Sequence, residues 1–125
     1  MIHVWHPMIW VAFSLALSCS QAAEKESPIA CNLRALTVAE RQQHAVASKR
    51  LLAALTSRHD VEGGYVFHLD KSRITLLQVA EWVAKEQRCC PFFDFKLELV
   101  RENGPLSLTL TGRSAVKQLI ETELR

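Results

Sequence analysis

No Asp, Glu, Lys or Arg occurs in the first 23 residues, and glycine and proline are sparse throughout the 125, at four each. So little Gly and Pro excludes collagen-like and low-complexity chains, and the large apolar fraction excludes a disordered one. There is no G-x-S-x-G, no Gly-rich phosphate loop and no H-E-x-x-H. Nucleophile-elbow hydrolases, P-loop enzymes and zincin proteases therefore lack their defining motif here. Neither charge dominates: 15 Lys and Arg against 13 Asp and Glu leave +2. The two signs are also interleaved, as in Glu40-Arg41, Lys85-Glu86 and Arg101-Glu102, so the basic stripe of a nucleic-acid-binding face is missing and no nucleic-acid partner is expected. No internal repeat is present.

The uncharged start holds a 12-residue apolar run, Met8 to Cys19, closed by small residues. That suits the apolar region of an export signal, whereas a membrane span needs about 20 residues. Ser20 and Ala22 place small side chains for cleavage after Ala22. Leu15-Ala16-Leu17-Ser18-Cys19 also fits a lipobox, with Cys19 lipidated as the mature N-terminus. A retained membrane anchor and a cytosolic domain from a later start are the remaining alternatives, since the segment before the apolar run has no Lys or Arg. The expected organisation is an export signal over 1–22 (or a lipoprotein signal ending before Cys19), a linker over 23–30, and one domain over 31–125. The expected location is the periplasm or cell envelope, with membrane attachment through Cys19 lipidation or an uncleaved segment as the one membrane link considered.

The domain punctuates itself with local signals. Thr37 and Glu40 form a capping box, which predicts a helix running to about Arg58 with Ala45, Ser48, Leu52 and Leu55 as its apolar stripe. Gly63-Gly64 breaks it, and Tyr65, Phe67 and Leu69 alternate as a strand. Thr75 with Gln78 starts a second helix, carrying Leu76, Val79, Ala80, Val83 and Cys90 on one side, and Pro91 stops it. Phe93, Phe95, Leu97 and Leu99 alternate in a second strand. A turn at 102–105 leads to a third strand through Leu106, Leu108 and Leu110, and 114–124 is a last amphipathic helix. These elements predict an α+β fold in α-β-α-β-β-α order, with a small, mainly antiparallel three-stranded sheet covered by helices on one face.

The chemically suggestive segment is Glu86-Gln87-Arg88-Cys89-Cys90-Pro91. On a helix Glu86 shares a surface with both cysteines, three and four residues on. Cys90 is expected on the core stripe and Cys89 about 100° away, toward Trp82 and Glu86. Two thiols and a carboxylate suit a soft ion such as mercury, copper(I) or zinc. Adjacent helical side chains diverge, so a third donor is needed, and Cys31 or a histidine is the candidate. The candidate metal ligands are thus Cys89, Cys90, Cys31 and Glu86, with no catalytic or cofactor-binding residue assigned. The competing expectations are Cys90 as a small core residue, and a disulfide from Cys31 to Cys89 or Cys90 in an oxidising compartment. His44, His59 and His68 are expected at the surface or its boundary, and Trp82, Phe92, Phe93 and Phe95 in the core or on strand faces. A Cys89–histidine nucleophile and base has no spacing to support it.

Ala30-Cys31-Asn32-Leu33, Leu36-Thr37, Glu81-Trp82-Val83, Glu86-x-x-Cys89-Cys90-Pro91-Phe92-Phe93-x-Phe95 and Leu110-Thr111-Gly112 together resemble a small bacterial domain with no assigned activity. It occurs alone and as the C-terminal part of some MerR-type transcription regulators. The resemblance covers about residues 30–124, with E-x-x-C-C-P-F its distinctive motif. It implies soft-metal or small-effector binding. The chain departs from the regulator form in lacking a DNA-binding helix-turn-helix and in carrying the export segment. Two functions of different class follow: an envelope module holding a soft metal, metalloid or small effector, and a non-catalytic structural or interaction domain whose cysteines are core residues or a staple.

Overall fold

A computed structural model describes residues 26–124. The apolar run, the cleavage position after Ala22 and Cys19 lie outside the described residues. A 3-10 turn, Leu33–Ala35, precedes α1 (Val38–Ala53), β1 (Leu55–Val61), β2 (Gly64–Leu69), α2 (Leu76–Cys89), β3 (Asp94–Leu99), β4 (Leu106–Thr111) and α3 (Val116–Glu123). The class is α+β, but the sheet has four strands rather than three, in the order β1-β2-β4-β3 with every pair antiparallel. Both capping boxes form: Thr37 accepts from the Glu40 amide while Glu40 accepts from Thr37, and Thr75 and Gln78 do the same. Each satisfies two amides that would otherwise be unpaired at a helix start.

The additional strand is the main correction. The first helix stops at Ala53, five residues before the expected Arg58, and Leu55 belongs to β1. β1 shows no apolar alternation because its core-side positions are polar: Arg58 pairs with Phe67 and Asp60 with Tyr65. These side chains find partners at the sheet edge. The Arg58 guanidinium lies 4.5 Å over the Tyr65 ring, and Asp60 accepts from Lys117 Nζ of α3 at 2.6 Å. Glu62 and Gly63 join β1 to β2, with Gly63 at φ +76°, a conformation that disfavours any side chain. Gly64 is required by space, since a Cβ there would sit 1.9 Å from the Leu110 carbonyl oxygen.

Three rows cross the inner face of β2, β4 and β3: Leu69–Leu106–Leu99, Phe67–Leu108–Leu97 and Tyr65–Leu110–Phe95. The helices cover this face, and most of these side chains join one buried cluster with Leu51, Val79, Trp82, Val116 and Ile120. The outer face carries Lys96, Glu98, Ser107 and Thr109, and there His59 and His68 meet edge to face at 5.1 Å. Both helical stripes differ from expectation. In α1 the buried residues are His44 and Leu51, while Ala45 and Leu52 are exposed. In α2 they are Val79, Trp82 and Cys89, while Leu76 and Ala80 are exposed. Before α3, Arg113 pairs with Glu26 at 3.2 Å and donates to the Ser27 carbonyl, which docks the end of the linker. No helix among the described residues is long and apolar enough to cross a membrane.

Candidate functional site

Helical spacing places Val79, Trp82, Glu86 and Cys89 along one side of α2, facing α1. The opposing row on α1 is His44, Ser48 and Leu51, separated by four and three residues. The two rows interlock through polar atoms. Trp82 Nε1 donates to Ser48 Oγ at 2.9 Å, the His44 ring stacks on Trp82 at 5.8 Å, and His44 Nε2 donates to Glu86 Oε2 at 2.5 Å. His44 is 6% exposed, and its other ring nitrogen, Nδ1, has no hydrogen-bond partner among the described residues. The expectation that His44 lies at the surface is therefore wrong. It is a buried residue held across the helix pair by a carboxylate 42 positions away.

α2 ends at Cys89, and the Cys90 amide closes the last turn on the Glu86 carbonyl at 2.7 Å. The segment before α1 crosses this end as a strap. The Asn32 amide donates to the Cys89 carbonyl at 2.7 Å, and Leu36 is buried. Arg88 donates to the Ala35 carbonyl at 2.8 Å and to Glu40 at 2.7 Å. The strap brings Cys31 to Cys90, and the two form a disulfide with Cα atoms 4.6 Å apart. Two of the sequence expectations for the cysteines are thus observed together, a Cys31–Cys90 pairing and a buried Cys90. Cys31 lies at the surface, so one sulfur's residue is open to solvent.

Cys89 is the free cysteine among the described residues, and at 1% exposure it is buried as deeply as Cys90. This corrects the expected contrast between a core Cys90 and a peripheral Cys89: the chain leaves helical geometry at Cys90, so both side chains turn inward. Cys89 Sγ lies 3.9 Å from Cys90 Sγ and 3.8 Å from Glu86 Oε2. Burial, then the Glu86 charge, push the Cys89 thiol up to about 11. The carbonyl end of the helix dipole acts in the same direction. Arg88, by contrast, is turned away to Glu40, whose carboxyl its guanidinium holds down at about 2.

Glu86 is the hinge between two donor groups. One is Cys31, Glu86 and Cys90, the other His44, Glu86 and Cys89, and in each the ligand atoms lie within 4.8 Å of one another. All four sequence candidates, Cys31, Glu86, Cys89 and Cys90, therefore meet at one helix end, although two of the thiols are bonded to each other. The residue that sequence reasoning missed is His44. A signal for it exists in the i, i+4, i+7 row that it forms with Ser48 and Leu51, which competes with the Ala45, Ser48, Leu52 and Leu55 stripe. His59 and His68 lie on the opposite face of the sheet and take no part. A cavity of about 220 Å³ between the helices and the sheet is bordered by Cys31, Ser48, Trp82, Glu86 and Phe93, and α3 closes its far wall with Leu119 and Ile120. No family model, curated protein or solved structure is significantly similar to the chain.

Proposed function

We propose that this domain is a soft-metal or metalloid binding module of the cell envelope, using Cys31, Cys89 and Cys90 as thiolates with Glu86 as an oxygen donor. The observation that carries the reading is the convergence of three sulfurs and one carboxylate at the end of α2, with Cys89 and Cys90 sulfurs 3.9 Å apart. The donor set fits a soft ion, because thiolate ligands select Cu(I), mercury-like or zinc ions over hard cations. The Cys31–Cys90 bond makes this fit conditional. The disulfide withdraws two of the three thiolates, so binding belongs to the reduced form and oxidation closes the site. Because thiols must lose their protons to bind, affinity falls as pH drops, and the raised Cys89 extends that dependence to higher pH. Export and envelope location, by cleavage after Ala22 or lipidation at Cys19, form part of the same reading.

Titration of the reduced protein with Hg²⁺ or Cu⁺, followed by thiolate-to-metal absorbance, tests it. One equivalent should bind, weakly in Cys31→Ser and not at all in Cys89→Ser/Cys90→Ser. Equal titration of the wild type and the double variant would defeat the proposal. One observation favours a second reading, a structural or interaction domain: Cys31 and Cys90 span 59 residues and tie the strap to α2. Under that reading the disulfide form is the working form, and the metal titrations do not distinguish the variants.

A further inference from the structure

The geometry points to a separate divalent-cation site of zinc type, formed by His44, Glu86 and Cys89, that is present while the Cys31–Cys90 disulfide is intact. It shares Glu86 and Cys89 with the soft-metal reading but does not rest on it, since neither bonded sulfur is a ligand. The three donors come from two helices that are already packed together. Their ligand atoms lie within 4.8 Å, with His44 and Cys89 buried and Glu86 half-buried. Around a tetrahedral zinc, nitrogen and oxygen ligands stand about 3.3 Å apart and sulfur and oxygen about 3.6 Å apart. The Cys89 Sγ–Glu86 Oε2 separation is 3.8 Å, close to that geometry. His44 Nε2 and Glu86 Oε2, at 2.5 Å, would need to open by less than about 1 Å.

The burial of these donors points the same way. Nε2, the nitrogen beside Glu86, is the ligand atom, and Nδ1, which has no partner among the described residues, then carries the ring proton. A thiol, a carboxylate and an imidazole held close together and largely out of water are costly to bury as they stand, and a divalent cation bound through Sγ, Oε2 and Nε2 offsets part of that cost. Mixed nitrogen, oxygen and sulfur donors suit a borderline ion such as Zn²⁺ rather than a purely soft one. Three protein ligands leave a fourth position for water or a small anionic ligand.

Co²⁺ replaces Zn²⁺ with a readable spectrum, so the disulfide-intact protein is titrated with Co²⁺ and then challenged with Zn²⁺. We expect one Co²⁺ per chain, tetrahedral visible bands, a thiolate-to-cobalt band in the near ultraviolet, and full displacement by Zn²⁺. Cys89→Ser should abolish the thiolate band, and His44→Gln and Glu86→Gln should each weaken binding on the order of 100-fold. Circular dichroism confirms that each variant is folded. Cys31→Ser/Cys90→Ser should bind Co²⁺ as the wild type does. No binding by the disulfide-intact wild type would overturn the inference, whatever Hg²⁺ does to the reduced protein. So would a Co²⁺ spectrum unchanged in folded Cys89→Ser.

Discussion

Cutting the Cys31–Cys90 bond perturbs the domain at one defined place, and the expected size follows from chain entropy. A cross-link over 59 residues removes about 14 cal/mol/K from the unfolded chain, or about 4 kcal/mol at 25 °C. The folded state should keep its shape without the bond. Leu36 remains buried, the Asn32 amide still reaches the Cys89 carbonyl, and Arg88 still clamps Ala35 and Glu40. The loss should therefore fall on the unfolded-state side, and about 2–4 kcal/mol is expected. For a domain of this size each kcal/mol moves Tm by about 4–8 °C, so Tm should drop by at least about 8 °C. The assay is thermal melting of the oxidised protein, the reduced protein and Cys31→Ser, with a free-thiol count on each. The oxidised form should show one reactive thiol among Cys31, Cys89 and Cys90 after unfolding, and the reduced form three. Cys90→Ala should cost more than Cys31→Ser by about 1 kcal/mol or more, because it also empties a fully buried position. Oxidised and reduced proteins melting within about 3 °C of each other would refute the reasoning, since no staple of this span should be so weak.

Three more outcomes are expected. With its thiol pushed up to about 11, Cys89 is roughly one part in a thousand thiolate at pH 8, so native-state alkylation should be on the order of 100-fold slower than for a free cysteine. Glu86→Gln should speed it, and a wild-type rate near that of free cysteine would show that the thiol is not buried as described. Glu40 titrates at about 2 in the fold against 4.5 ordinarily, so its contribution to stability is fully present above about pH 4.5 and is lost as pH falls toward 2. Arg88→Gln should flatten that acid limb in urea melts at several pH values, and an unchanged slope would contradict the assigned partner. Finally, intact mass on periplasmic and membrane fractions should give a chain starting near Ala23 or at a lipidated Cys19, whereas full-length protein recovered from the cytosol would sink the export proposal.

The features that could be read from sequence are those whose causes lie within four residues. Thr37 with Glu40 and Thr75 with Gln78 mark helix starts because the whole capping box is local. Pro91 stops α2, and the alternating Phe and Leu of β3 and β4 disclose a strand pair because their partners share a short turn. Glu86, Cys89 and Cys90 could be grouped because three- and four-residue spacing on a helix is itself a contact. What was hidden depends on distant partners. β1 is a strand because β2 pairs with it, and Arg58 and Asp60 tolerate their inward positions because Tyr65 and Lys117 meet them. Nothing within the heptapeptide Leu55–Val61 shows that.

His44 was hidden for the same reason, and this bears on function. An inward-facing histidine paired to a carboxylate 42 residues away is an expensive way to join two helices, since well-packed apolar residues of similar volume commonly do as well or better. Ser48 and Trp82 extend the polar seam next to it. On β2 and β4 the buried inner rows are Leu, Phe and Tyr, in agreement with the local alternation. The place where the α1–α2 seam departs from apolar packing is also where the buried free thiol and the disulfide meet. The apolar packing of β2 and β4 does not require a buried histidine–carboxylate pair beside a free thiol, and departures of this kind are where binding or chemistry is to be sought.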